Sequence, residues 1–498
     1  MVTQWTASRY DVIVVGAGNA ALTAAISACQ SGARVLVLEK APEAERGGNS
    51  RFSGGLFRFA YEGIEDLKPL RQGLHLREWD RVDVGHYDPG RYFDDMMRVT
   101  QGQASRELVQ VLTQQSYPTM AWMTELGVVW DWTSLWSVES GERLAFNPGS
   151  VLEAKNKGIG LVEYLFAAAQ RAGVDIAYQA KMVGFLQDGS GRVTGVRVRT
   201  PNHTEEAPTG AVVLASGGFE ANAEMRARYL GPGWDQVKVR GTRFNTGETL
   251  RMALDIGAKP VGHWQGCHAT PIDGNAAPVG DLRLTDRTNR LSYPYSIMVN
   301  SLGRRFVDEG EDLGGYTYAK IGRAILSQPG AIAYQIFDQK TVHLLEERYS
   351  TGTPIIGNTI HEIAQKLSIP ADALQRTVEE FNAAVQPGEF DPAVKDGKRT
   401  RGLEPPKSNW ALPIDSPPYT VYPVACGITF TYGGIQIDTQ ARVIDTEDNP
   451  IPGLYATGEI TGNFFYHNYP GGAGLMRGAV FGRIGGANAA TGALERKG

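Results

Sequence analysis

The stretch Tyr10-Asp-Val-Ile-Val-Val-Gly-Ala-Gly-Asn-Ala-Ala21 decides the fold. It begins with a continuous apolar run, Val12 to Val15, of the kind that forms a strand buried on both faces. Gly16, Gly18 and Ala21 supply the G-x-G-x-x-G/A pattern, and a helical stretch runs from about Ala20 to Ser31, where Gly32 stops it. Ala33-Arg-Val-Leu-Val-Leu-Glu39 reads as the second strand of a βαβ unit. In that context Gly16 makes the tight turn, and Gly18, with Asn19 and Ala20 opening the helix, lets a pyrophosphate approach the helix N-terminus. Glu39, at the end of the second strand, is placed to accept ribose hydroxyls and disfavours a 2′-phosphate.

The pattern by itself does not separate FAD from NAD. The next segment, Arg46-Gly-Gly-Asn-Ser-Arg-Phe-Ser-Gly-Gly55, packs Gly47, Gly48, Gly54 and Gly55 among the short donors Asn49, Ser50 and Ser53. Such a stretch can wrap a pyrophosphate and then lie flat against a ring, for which an NAD enzyme has little use. The reading is therefore FAD.

The chain has 498 residues, 42% hydrophobic and 21% charged, with a net charge of -5. A slightly acidic balance argues against nucleic acid as the main partner. No apolar run is long enough to span a membrane, and Met1 to Arg9 carries no apolar leader, so a cytoplasmic location is expected. Cys29, Cys267 and Cys426 are too few and scattered for a disulfide framework or a zinc site, and no metal site is expected. Gly210 to Phe219 and Gly453 to Glu459 look like further sheet of the nucleotide-binding domain. Between them the texture changes, with helical stretches Thr359–Leu367 and Ala371–Val385 among Pro-rich loops. The expected organisation is a first FAD-binding segment over 1–262, an inserted substrate-capping domain over 263–418, and a return to the FAD-binding domain over 419–498.

Over nearly its whole length the chain resembles the flavoprotein family of fumarate reductases, succinate dehydrogenase flavoprotein subunits and ketosteroid dehydrogenases. The matching residues are Gly16-Ala-Gly18, Glu39-Lys40, Gly47-Gly-Asn-Ser50, Ala215-Ser-Gly-Gly-Phe219, Gly303-Arg-Arg-Phe306 and Gly458-Glu459. Longer runs, including Lys238 to Thr246, Tyr316 to Lys320, Gly427 to Gly434 and Asn468 to Gly472, resemble the tricarballylate dehydrogenase branch most. The resemblance implies an α/β fold: a Rossmann-type FAD-binding domain of the GR2 type with an inserted α+β cap. It implies FAD in extended form, held further by Lys40, Met182, Val183, Ala215, Ser216, Gly217, Thr246 and Gly247. Gly458 and Glu459 would meet the ribityl chain, and Gly472, Gly474 and Leu475 the pyrimidine end, at a helix N-terminus suited to charge on the reduced ring. No histidine stands near Ser50, where the succinate dehydrogenase branch attaches its flavin, so FAD is expected to be non-covalent.

Desaturating a C–C bond needs a base for the acidic proton, a hydride acceptor, and stabilisation of enolate charge. Fumarate reductases use an arginine proton donor, and here the corresponding residue is Leu313. Their substrate histidine before the Gly-Gly pair is replaced by Phe430 and their last arginine by Tyr469 or its neighbour, while His268 matches their remaining histidine. What replaces these groups is phenolic. Tyr469-Pro-Gly-Gly-Ala-Gly474 resembles the ketosteroid dehydrogenase motif in which a tyrosine hydroxyl and a glycine N–H polarise a ketone. Tyr316 and Tyr318 are candidate bases, provided that a cation such as His467 or Arg305 lowers the phenol pKa. Arg240, Arg243, Arg283, Arg287 and Arg290 are candidate carboxylate clamps, although Gly314-Gly315 stands where the tricarballylate branch has an arginine.

These residues lead to an FAD-dependent dehydrogenase that introduces a C=C bond next to the carboxylate of a small, tricarballylate-like substrate. An α,β-desaturase of a ketone and a flavin-dependent monooxygenase are the alternatives. Electrons are expected to leave through a separate acceptor, a membrane iron–sulfur protein or the quinone pool.

Overall fold

The computed structural model describes residues 10–71, 79–140 and 143–496, so Met1 to Arg9, read above as lacking a leader, lies outside the described residues. Val12–Val15 is the centre of a six-stranded sheet. It pairs in parallel with Val35–Leu38 on one side and Ala211–Leu214 on the other, with Val12 opposite both Val35 and Ala211. Asp175–Ala177 extends the first edge, and Pro450–Ala456 the second, where Arg442–Ile444 closes it antiparallel. The central strands are apolar throughout because they are covered by helices Asn19–Gln30 and Ala473–Leu494 and by strand Val193–Arg199, and Val12, Ile13 and Val14 are fully buried. Helix Asn19–Gln30 packs against the C-terminal helix Ala473–Leu494, so the first and last segments of the domain meet beside the glycine turn.

A second sheet is organised by the thirteen-residue strand Tyr419–Thr431. One of its edges carries Ile332–Phe337 and Lys238–Val239; the other carries Ile355–Gly357 and Cys267–Asp273. Ile297–Asn300 pairs with Ile332–Phe337 on the outside. Helices Ile360–Leu367 and Ala371–Ala384, both expected from their periodicity, cover a separate apolar core on this sheet.

Tyr419–Thr431 belongs wholly to the second sheet, and Lys238–Val239, placed by sequence in the first segment, pairs with it too. Pairing partners are set by non-local registers, which a border drawn from texture does not contain. A three-stranded antiparallel sheet, Lys181–Gln187, Val193–Arg199 and Thr204–Pro208, also lies within the first segment.

Candidate active site

A continuous cleft starts at the glycine turn and ends between the two sheets. All the residues expected to hold FAD line it except Gly47, Gly55 and Val183. Val183 is the extra residue at a register shift between Met182 and Gly184, and only Met182 of the two lines the cleft. Gly47 and Gly55 turn the chain at φ +102° and +69° behind the lining residues. Gly16 has φ +108°, and a Cβ there would stand 2.4 Å from the Ala215 carbonyl oxygen, so the turn admits only glycine.

Helix Asn19–Gln30 opens without a side-chain cap on Gly18, leaving its first N–H groups toward the cleft, as an anion requires. Ser50 Oγ accepts from Asn19 N at 2.9 Å and ties the second glycine segment to this end. Glu39 is buried at the end of its strand and accepts from Ala41 N at 2.7 Å. Burial pushes its carboxyl pKa up, a cost that ribose hydroxyls would offset by donating to it. Deeper in, the buried Glu220 and the half-buried Glu459 share a donor set. Asn49 and Asn245 each donate to Glu220 Oε1 at 2.6 Å, while Glu459 Oε1 accepts from Thr431 N at 2.8 Å. Burial and the neighbouring Glu459 charge raise Glu220 well above the carboxylate range, so the pair retains a proton.

The far end of the cleft is aromatic. The His268 ring lies 4.9 Å from Tyr318, 5.0 Å from Tyr469 and 5.0 Å from Phe430, on which it stacks. The Tyr469 oxygen accepts from Gly472 N at 2.9 Å and Gly474 N at 3.2 Å, at the start of the C-terminal helix. Two donors into the oxygen polarise the phenol, whose own O–H stays available for a ligand oxygen. Gly472 needs φ +87° to present its N–H in this way. The Tyr318 hydroxyl faces that of Tyr469 closely enough for each to shift the other's acidity. Burial raises both phenols, Tyr318 well above its ordinary value against the pull of Arg240, and Tyr469 against that of its two N–H donors. Burial and the same arginine hold His268 well below the usual histidine range, so its imidazole is neutral.

The other three expected catalytic residues are elsewhere. The Tyr316 hydroxyl points away, donating to Asp95 at 2.6 Å and accepting from Arg58 at 3.2 Å. His467 is exposed at φ +58°, its N–H bonded to His263 Nδ1 and its ring to Gln103. Arg305 is paired with Glu309 at 2.5 Å and donates to the carbonyls of Pro405 and Pro406, bracing a loop. None of these three lines the cleft.

Two residues missed in the sequence shape this end, Trp136 on the wall of the cleft and Arg58 behind it. Arg58 is fully buried; its Nε donates to Gly471 O at 2.8 Å and its backbone N–H to Gly472 O, which clamps the turn after Tyr469. Its signal was a lone charge in the apolar run Leu56 to Ala60. Trp136 packs 5.2 Å from Tyr318 and lies where a Cβ on Gly314 or Gly471 would clash, at 2.7 and 2.6 Å. The glycine pair that displaces an arginine thus makes room for an indole.

A dinucleotide cradle that runs into a capped, dry end is the build of a flavoprotein oxidoreductase. A family model described as FAD binding domain matches residues 11–475, and the chain belongs to that family. A probable fumarate reductase, Ifc3, of Shewanella frigidimarina is 30% identical over 492 residues, 98% of this chain and 76% of that protein. The 4-oxocyclohexanecarboxylate 2-dehydrogenase of Sinomonas cyclohexanicum is 30% identical over 538 residues, covering 93% and 90%. A solved 3-ketosteroid-Δ4-(5α)-dehydrogenase from Rhodococcus jostii shares the fold at TM-score 0.72 and 24% identity, covering 98% of each chain. The protein is an FAD-dependent oxidoreductase of the fumarate reductase family that acts on CH–CH groups. Among the described residues no helix is long and apolar enough to cross a membrane.

Proposed function

We propose that the enzyme desaturates a ketone between its α and β carbons, with Tyr469, polarised by the helix N–H groups, binding the carbonyl and Tyr318 as base. The observation that carries this reading is the Tyr469 oxygen accepting from Gly472 N and Gly474 N, beside Tyr318, at the closed end of the cleft. Bound FAD supplies the two-electron acceptor for the hydride of the β carbon. Tyr469 donates to the substrate carbonyl and stabilises the enolate oxygen; Tyr318, its phenol raised by burial, takes the α proton through its minor phenolate form, which Arg240 favours; Arg58 holds the glycine turn in place. Neutral His268 and Phe430 keep the site dry. FAD is held without a covalent bond, and its electrons pass to a separate acceptor, a membrane iron–sulfur protein or quinone.

The tricarballylate-like reading is the weaker of the two. Three carboxylates call for several arginine clamps, and only Arg240 of the five candidates lines the cleft. Arg243 pairs with Glu45, Arg283 with Asp281 and Arg290 with Asp273, while Arg287 is exposed. The test is anaerobic mixing of the yellow holoenzyme with cyclic ketones, tricarballylate, citrate and succinate while following flavin absorbance. Bleaching by a ketone is expected. Bleaching by tricarballylate and by no ketone would overturn the proposal.

A further inference from the structure

The C-terminal helix Ala473–Leu494 has no acid in its first turn and an arginine, Arg477, in its second. A cation there adds to the positive end of the helix dipole instead of offsetting it. Arg477 is 2% exposed and lines the cleft with Gly474, Leu475 and Gly478 of the same helix. One Nη donates to the Thr461 carbonyl at 3.2 Å, while Nε is buried with no hydrogen-bond partner among the described residues. The acid whose charge it feels most is Glu459, but that carboxyl is engaged by Thr431 N and Asn245. Glu459 and Glu220 together retain a proton, which dilutes the counter-charge further. Burial pushes the Arg477 pKa down to about 10, which still leaves it charged at neutral pH. A buried guanidinium so weakly compensated is costly to keep in the protein alone.

The side chain serves the aromatic end of the cleft rather than the phosphate end. Asn19, at the phosphate end, meets this helix by donating to Leu475 O at 2.8 Å. The guanidinium is turned the other way. Its carbon lies 4.9 Å from the centre of the Phe465 ring, 5.4 Å from Phe464 and 5.9 Å from Phe430, on which His268 stacks. Aromatic faces hold a cation in place without neutralising it.

We propose that Arg477 is the fixed counter-charge for the reduced flavin and raises the reduction potential of bound FAD. A hydride carries two electrons with one hydrogen nucleus, so the neutral ring that accepts it becomes singly negative. A C–H bond is a weak hydride donor, and a permanent cation at this end favours the negative ring. Because only the ring charge matters, Arg477 has this role with a ketone or a carboxylate substrate alike.

The two-electron potential of the holoenzyme, read against reference dyes with no substrate present, is the test. Arg477→Met should lower it by about 30 mV, which is on the order of a tenfold loss of preference for reduced over oxidised FAD. Arg477→Lys keeps the charge and should keep that preference within about twofold of the parent. A cation serving the pyrophosphate would weaken reduced and oxidised FAD alike and leave the potential unchanged. A Met variant within about twofold of the parent therefore overturns the proposal. An equal fall in the Met and Lys variants also overturns it, because shape and not charge is then responsible. Should Arg477→Met lose its FAD, Arg477→Gln is measured in its place. Loss of FAD from both overturns the proposal and assigns the arginine to holding the cofactor in either redox state.

Discussion

Replacing Tyr469 by phenylalanine removes one oxygen and tests the centre of the proposed chemistry. The phenol is 5% exposed, and its oxygen accepts two backbone N–H groups at 2.9 and 3.2 Å. Each buried donor left without a partner costs about 1–3 kcal/mol. The longer bond is the weaker one and only partly buried, so the expected loss of stability is about 2 kcal/mol. The ring itself still packs edge-on against Phe430 and Phe465 at 5.2 and 5.0 Å, so the fold and bound FAD should persist. The effect on rate is larger, because the hydroxyl is the donor aimed at the oxygen where charge develops. Losing one such donor typically costs a factor of about 10² to 10³. Anaerobic stopped-flow reduction of the flavin by a ketone substrate gives the rate, and saturation gives the dissociation constant. The rate should fall by that factor with little change in affinity. A variant that keeps its FAD and reduces it within about fivefold of the parent would refute the assignment, since that is far below the loss of an oxyanion donor.

Tyr316→Phe is the matching control: it should lose about 2 kcal/mol with its hydrogen bonds to Asp95 and Arg58, measured by denaturant unfolding, and keep its reduction rate. Tyr318 has its phenol pKa raised above the ordinary value of 10, so its base form grows about tenfold per pH unit below that pKa. The flavin reduction rate should accordingly rise from pH 7 to pH 9 in the parent and stay flat in Tyr318→Phe. Glu220 is raised well above its ordinary value of 4.5, so the folded state holds a proton that the unfolded state releases. Its contribution weakens stability as pH climbs above 4.5; Glu220→Gln should therefore melt higher than the parent at pH 8 and alike near pH 4.5. Acid precipitation should leave the yellow colour in the supernatant, and a yellow pellet would show a covalent flavin.

The nucleotide cradle was legible because its signals are local. A strand, Gly16 to Ala21 and a helix lie within one βαβ unit, and the fixed reach of that unit brings Glu39 to the wall of the cleft. Tyr469 was legible for the same reason, since its partners Gly472 and Gly474 follow it directly. The choice between Tyr316 and Tyr318 was not. Two residues apart at the start of a helix they point to different sides, and only the packed surroundings say which side is the cleft. His467 and Arg305 were picked as cations by nearness in sequence, but the cation at the turn is Arg58, more than 400 positions earlier.

By itself the sequence determined the nucleotide-binding unit, the cofactor class and the tyrosine–glycine turn, because each rests on backbone conformations dictated by neighbouring residues. Only the tertiary structure decided the sheet to which Tyr419–Thr431 belongs, the indole that fills the space over Gly314 and Gly315, and the wall shared by Arg240 and His268. Those depend on strand register and close packing between distant segments, which come into existence only when the chain is folded.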